Sequence, residues 1–154
     1  MINIISKPIA MLLLTGLLAL SAAARADQVN TSSVGVSGYD LVSYHTAKRP
    51  LRGNGHFVAE HDGVTYLFAT GDNLRAFQAD PQRYVPAYGG YCAYGVTKGK
   101  KFIADPEVWE IVDGRLYLNL DNRVKSAWVK DIPGHIREGD AQWREIKDVA
   151  PGAL

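Results

Sequence analysis

The side chains able to do chemistry are few: one cysteine, four histidines and sixteen acids in 154 residues. Asp40 and His45 lie five apart in Tyr39-Asp40-Leu41-Val42-Ser43-Tyr44-His45, and Cys92 stands between Tyr91 and Ala93. Carboxylate, imidazole and thiolate donors suit zinc or copper. Asp40, His45 and Cys92, with His56 and His61 within reach, are therefore a candidate copper or zinc site. None of the local spacings is a C-x-x-C or H-x-x-x-H ligand pair, so the site depends on the fold bringing these groups together. The plainer alternative has Asp40 capping a helix or turn, His45 packed beside Tyr44, and His61 at the edge of a hairpin.

A second chemistry belongs to Cys92 alone. A thiol that follows Gly89-Gly90 and opens a helix feels the positive helix end, which lowers its pKa, and His45 or His56 could then serve as base. A lone cysteine between Tyr91 and Ala93 also reads as a small buried hydrophobe, and enzyme activity is not expected. The leading reading is a binding pocket for a small molecule, or a surface for a periplasmic protein partner. Tyr39, Tyr44, Tyr88, Tyr91 and Tyr94 crowd two short segments, and Gly89, Gly90 and Gly95 allow close approach to the backbone. The expected ligand-binding residues are Tyr39, Asp40, Tyr44, His45, Tyr88, Tyr91 and Cys92.

The elements that must position these groups are short. Runs rich in aromatic and β-branched residues flank Asp62-Gly63 between Phe57 and Ala69, and a second pair flanks Asp113-Gly114; both read as hairpins. In the first, Val64, Tyr66 and Phe68 share one face. Thr70 or Asp72 can cap a helix carrying Leu74 and Phe77, which Pro81 limits. The segment from Pro86 to Gly95 turns into a helix that ends by Gly99. From Asn122, Val124 and Trp128 and then Ile136, Trp143 and Ile146 predict two helices broken at Pro133-Gly134. The fold class is α+β: a small single domain of β-hairpins packed against short helices, from 38 to 148, with a frayed end at Pro151-Gly152-Ala153-Leu154.

Tyr66-x-Phe68-x-Thr70, then Asn73, Phe77, Asp80-Pro81 and Tyr84, resembles the YHS and TRASH-like pattern, in which a hairpin ends in Y-x-F-C-S-x-x-C and a helix in F-x-x-D-P-x-x-Y. Tyr88-Gly89-Gly90-Tyr91-Cys92-Ala93, Asp105-Pro106-x-x-Trp109 and Asp113-Gly114-x-Leu116-Tyr117-Leu118-Asn119 resemble an exported, stand-alone subgroup of that family. The resemblance implies a YHS-like core over 39–85 with a C-terminal helical extension over 86–148. It also implies thiolate ligands where this chain has Ser43, Ala69 and Asn73, and none of these is a thiolate. The resemblance therefore supports the fold better than it supports metal handling.

Lys7, the apolar run from Pro8 to Leu20 and the A-x-A site Ala24-Arg25-Ala26 predict a secretory signal over 1–26, cleaved before Asp27. A membrane anchor needs about 20 apolar residues, a length reached only by counting Thr15 and Ser21. Residues 27–37 read as a mobile lead-in. The mature chain would work as a monomer in the periplasm or another exported compartment, with no stable membrane span. Loss of Lys7 and Arg25 leaves 15 of the 17 cations against 16 anions, so no dense basic face for nucleic acid remains. A single cysteine cannot form an intramolecular disulfide. Both methionines fall in the signal, which removes thioether copper ligands. Lys98, Lys100 and Lys101 read as a solvated helix end. Walker, dinucleotide-binding, nucleophile-elbow and haem-attachment motifs are absent from the sequence.

Overall fold

A computed structural model describes residues 33–47 and 49–154 of the chain. The expected signal over 1–26 and the start of the expected lead-in lie outside the described residues.

Both Asp-Gly pairs turn hairpins. Strand β3 (Asn54–His61) pairs antiparallel with β4 (Val64–Phe68), and β5 (Asp105–Val112) with β6 (Arg115–Asn119). Asp62 and Gly63 have φ of 49° and 74°, and Asp113 and Gly114 have 49° and 78°. Two consecutive positive φ angles match the right-handed twist of the flanking strands, which is why aspartate followed by glycine serves in both turns. A short antiparallel pair, β1 (Tyr39–Asp40) with β2 (Leu51–Arg52), completes three two-stranded sheets among the described residues.

Strand β6 organises the core because its alternate side chains enter different apolar clusters. Leu116 and Leu118 pack in one cluster with Leu41, Tyr44, Phe68 and Phe77, while Tyr117 packs in the other with Tyr88, Val96, Trp128 and Ile146. The helices supply the remaining walls: α1 (Leu41–Thr46), α2 (Gly71–Ala79), α3 (Pro81–Tyr84), α4 (Ala93–Thr97), α5 (Asn122–Trp128) and α6 (Ile132–Ile146). The architecture is α+β, a small single domain of hairpins against short helices, as the residue pattern predicts.

Thr70, not Asp72, caps α2, its hydroxyl accepting the Asn73 N–H at 3.1 Å. The C-terminal helices break earlier than Pro133-Gly134: a 3-10 turn at Val129–Asp131 separates α5 from α6. Pro133 and Gly134 lie in the first turn of α6, where the missing proline N–H needs no partner. Asp131 caps the Gly134 N–H at 2.9 Å, and a Cβ on Gly134 would lie 2.0 Å from that carboxylate. Order also begins before Gly38. Val34 bridges to Thr65, and Gly35–Gly38 form a turn with Gly35 set against the Tyr66 ring. At the other end, Pro151–Ala153 form a 3-10 turn and Leu154 packs against the second cluster, so this end is not frayed.

The Lys101 ammonium donates to the carbonyls of Lys147 and Val149 at 2.8 and 2.7 Å, and lies over the Tyr91 and Trp143 rings. It thus closes the C-terminal end of α6 from a distant loop, where exposed carbonyls favour a cation. Among the described residues no helix is long and apolar enough to cross a membrane.

Candidate functional site

Asp40 is fully buried and its carboxylate is saturated. One oxygen accepts the backbone N–H groups of Val42 (2.9 Å) and Ser43 (3.3 Å), capping α1; the other accepts Ala69 N–H (2.8 Å) and the Asn73 side-chain amide (2.6 Å). The Ser43 hydroxyl donates to the Asp40 carbonyl and accepts the Leu51 N–H. Ser43, Ala69 and Asn73 therefore gather around one buried anion, which ties β1 and α1 to the end of β4 and the start of α2. With four donors in place, this carboxylate has little capacity left for an ion or ligand.

Cys92 is also fully buried. It caps the five-residue helix α4 through sulfur, accepting the Gly95 N–H at 3.4 Å, and its thiol lies 3.8 Å from the Asn119 side-chain oxygen, which also accepts Tyr94 N–H. Its own N–H donates to the Phe102 carbonyl. The expected helix start is present: Cys92 caps it from within the core, with its thiol sealed from solvent.

His45 stands at the end of α1, its ring edge-on to Tyr84 at 5.3 Å. Burial, and to a lesser degree the Arg83 guanidinium, hold its pKa below the usual range, so the ring is neutral at pH 7. Its Nε2 is buried without a hydrogen-bond partner among the described residues. Among the described residues no three His, Cys, Asp or Glu side chains are close enough together to hold an ion. The expected metal set Asp40, His45 and Cys92 is therefore not assembled. Asp40 is consumed by local donors and Cys92 by its own helix, while His61 sits at the first hairpin turn beside Asp62 and Gln82.

The tyrosines expected in one pocket are dispersed. Tyr39 and Tyr44 are buried, their hydroxyls donating to Glu107 (2.7 Å) and to the Pro106 carbonyl (2.8 Å). Tyr44 and His45 edge a recess of about 280 Å³ beside Trp109, and Tyr91 edges another of about 300 Å³. Only Tyr88, of the expected ligand-binding residues, borders a further cavity, of about 460 Å³. That cavity lies between the first hairpin turn, the segment following α3 and the α6 face.

Its construction explains the unusual Pro86 to Gly90 stretch. Tyr88, Gly89 and Gly90 have φ of 56°, 61° and 83° in succession, and a tyrosine in this region is strained unless its surroundings hold it. The Tyr88 ring packs against Tyr117 and Trp143, and its hydroxyl lies 3.1 Å from the Asp140 carboxylate and 3.3 Å from the Ile136 carbonyl. Gly139 makes room for that hydroxyl; a Cβ there would come within 2.6 Å of it. Burial, then the Asp140 charge, push the Tyr88 pKa well above the usual phenol range, so the hydroxyl stays protonated. Tyr66 and Tyr88 are buried and form the floor, and half-buried Trp143 and His61 form walls. Arg83 and Arg115 are exposed and stand at the rim. Arg115 lies 3.6 Å from Asp140, whereas Arg83 makes no ion pair among the described residues.

Comparison of the chain with family models, with curated proteins and with solved structures finds no match. Function is therefore read from geometry. Sequence reasoning missed Arg83, Arg115 and Trp143 as pocket residues. The available signals were Arg115 immediately after the second Asp-Gly turn, which places it at a hairpin tip, and Trp143 on the apolar stripe of α6.

Proposed function

We propose that the chain is a non-catalytic binding module of YHS type, acting in the periplasm or another exported compartment, that holds a small organic molecule in the cavity between Tyr66, Tyr88 and Trp143. The observation that carries this reading is the cavity itself: about 460 Å³, within the ~300–1,000 Å³ range of small-molecule sites, with aromatic surfaces and a few polar groups at its rim. Tyr88 supports it further, because a strained aromatic residue anchored at a cavity wall is the kind of rigid surface on which ligands stack. The gathering of Ser43, Ala69 and Asn73 around Asp40 supports a YHS-type core in which an anion occupies the centre of the positions that the resemblance assigns to thiolates.

The test is chemical-shift mapping of the mature protein against a library of small organic molecules. At least one compound should move the Trp143 indole N–H and the Tyr88 and Gly89 amides together. A library without a single such compound removes this reading.

A further inference from the structure

We propose that the occupant of this cavity is a small organic anion bearing an aromatic ring, an arylacetate in the simplest case, its ring on the Tyr66, Tyr88 and Trp143 surfaces and its carboxylate between Arg83 and Arg115. This inference rests on the reading of the cavity as the binding site and adds the charge class of the ligand.

The charges around the opening favour an anion. Both arginines lie at the rim, from α3 and from the start of β6, two elements that meet only in the folded chain. Arg83 has no carboxylate partner among the described residues, and Arg115 shares Asp140 at 3.6 Å, longer than a charge-assisted hydrogen bond. The acid at the opening, Asp62, is largely exposed and lies 3.4 Å from His61 Nε2. Tyr88 adds no negative charge, since its phenol is held protonated beside Asp140. A guanidinium offers a planar fork of N–H donors that matches a carboxylate. A cationic ligand would meet two guanidinium groups in the same opening, and a neutral one would gain less from them than an anion does.

Three probes of nearly equal shape separate the charge classes: phenylacetate, phenylacetamide and phenethylamine, titrated into the mature protein and followed by amide and indole chemical shifts. Phenylacetate should bind at least about tenfold tighter than the amide, since a charge-assisted hydrogen bond is stronger than a neutral one, and the amine should bind weakest. Raising the salt should weaken phenylacetate selectively. Arg83→Gln, an exposed change, should bring phenylacetate toward the amide's affinity with the fold unaltered; Arg115→Gln should act in the same direction, and the double variant should abolish the difference. If the amide binds as tightly as the anion while moving the Trp143 and Tyr88 signals, the charge class is wrong and the binding-module reading stands. If none of the three moves those signals up to about 10 mM, where even millimolar affinity is visible, the anion proposal falls. A wider library that also fails to move them removes the binding-module reading.

Discussion

Replacing Asp40 by alanine should be among the most damaging single changes in the molecule. The substitution strands four donors that converge on one fully buried carboxylate: Val42 and Ser43 N–H in the first turn of α1, Ala69 N–H, and the Asn73 amide. A buried donor left without a partner costs about 1–3 kcal/mol, and loss of a helix cap about 0.5–2 kcal/mol. These terms overlap, and water can reach the partly buried Asn73 side, so the expected loss is about 3–5 kcal/mol rather than their sum. Against a total stability of about 5–15 kcal/mol, that fraction is large. Urea unfolding followed by circular dichroism should show the midpoint falling by roughly 2 M, for a slope of about 1–3 kcal/mol per molar. Asp40→Asn keeps the shape but turns an N–H₂ toward donors, so it should lose most of the same stability. A loss below about 1 kcal/mol for Asp40→Ala, less than the strain of one orphaned donor, would refute the clasp. So would a wild-type midpoint that falls on adding EDTA, because that would give the carboxylate a metal-dependent role.

Three further outcomes follow from the same geometry. The Cys92 thiol should resist iodoacetamide in the native protein and react once urea unfolds it; stoichiometric labelling of folded protein would contradict its burial. His45, facing Tyr44, Tyr84, Arg83 and Glu110, has a folded pKa below its usual 6.5. The unfolded chain then binds more protons, so its contribution is full above about pH 6.5 and declines as the pH falls toward the folded pKa. Urea midpoints measured across that window should fall on acidification in the wild type and fall less in His45→Phe; equal slopes would remove the assignment. Gly53→Ala should destabilise by about 1–3 kcal/mol, because its Cβ would lie 2.4 Å from the Leu67 carbonyl carbon, which is backbone and cannot turn aside; an unchanged melting temperature would count against that packing.

The hairpins were legible because their information is local. Aspartate followed by glycine at positions 62–63 and 113–114 specifies the backbone of a tight turn, and the apolar alternation beside it specifies the face. The Thr70 cap was legible for the same reason. Pro133-Gly134 misled because proline ends a helix from within and opens one from its first turn, and the pair alone does not distinguish the two; Asp131, two residues earlier, does. The candidate site was less legible. Asp40 has the residue type of a ligand, but its fate is set by Ala69 and Asn73, whose approach depends on the whole path of β3 and β4. Cys92 opens a helix as expected, yet its burial comes from packing against β6 and the segment at Phe102, to which no neighbouring residue points. The cavity joins His61, Arg83, Tyr88, Arg115 and Trp143, five positions drawn from separate elements, and such a convergence leaves no period or spacing to read.

The Lys101 ammonium seated on the carbonyls of Lys147 and Val149 has a consequence for how the molecule breathes. Helix ends usually fray on their own, opening amides to hydrogen exchange without disturbing the rest of the structure. Here the last turn of α6 cannot loosen without releasing a cation that is carried by the loop between α4 and β5 and lies over the Tyr91 and Trp143 rings. The end of α6 and that loop are thereby tied together, and native-state hydrogen exchange is expected to give their amides a common opening free energy.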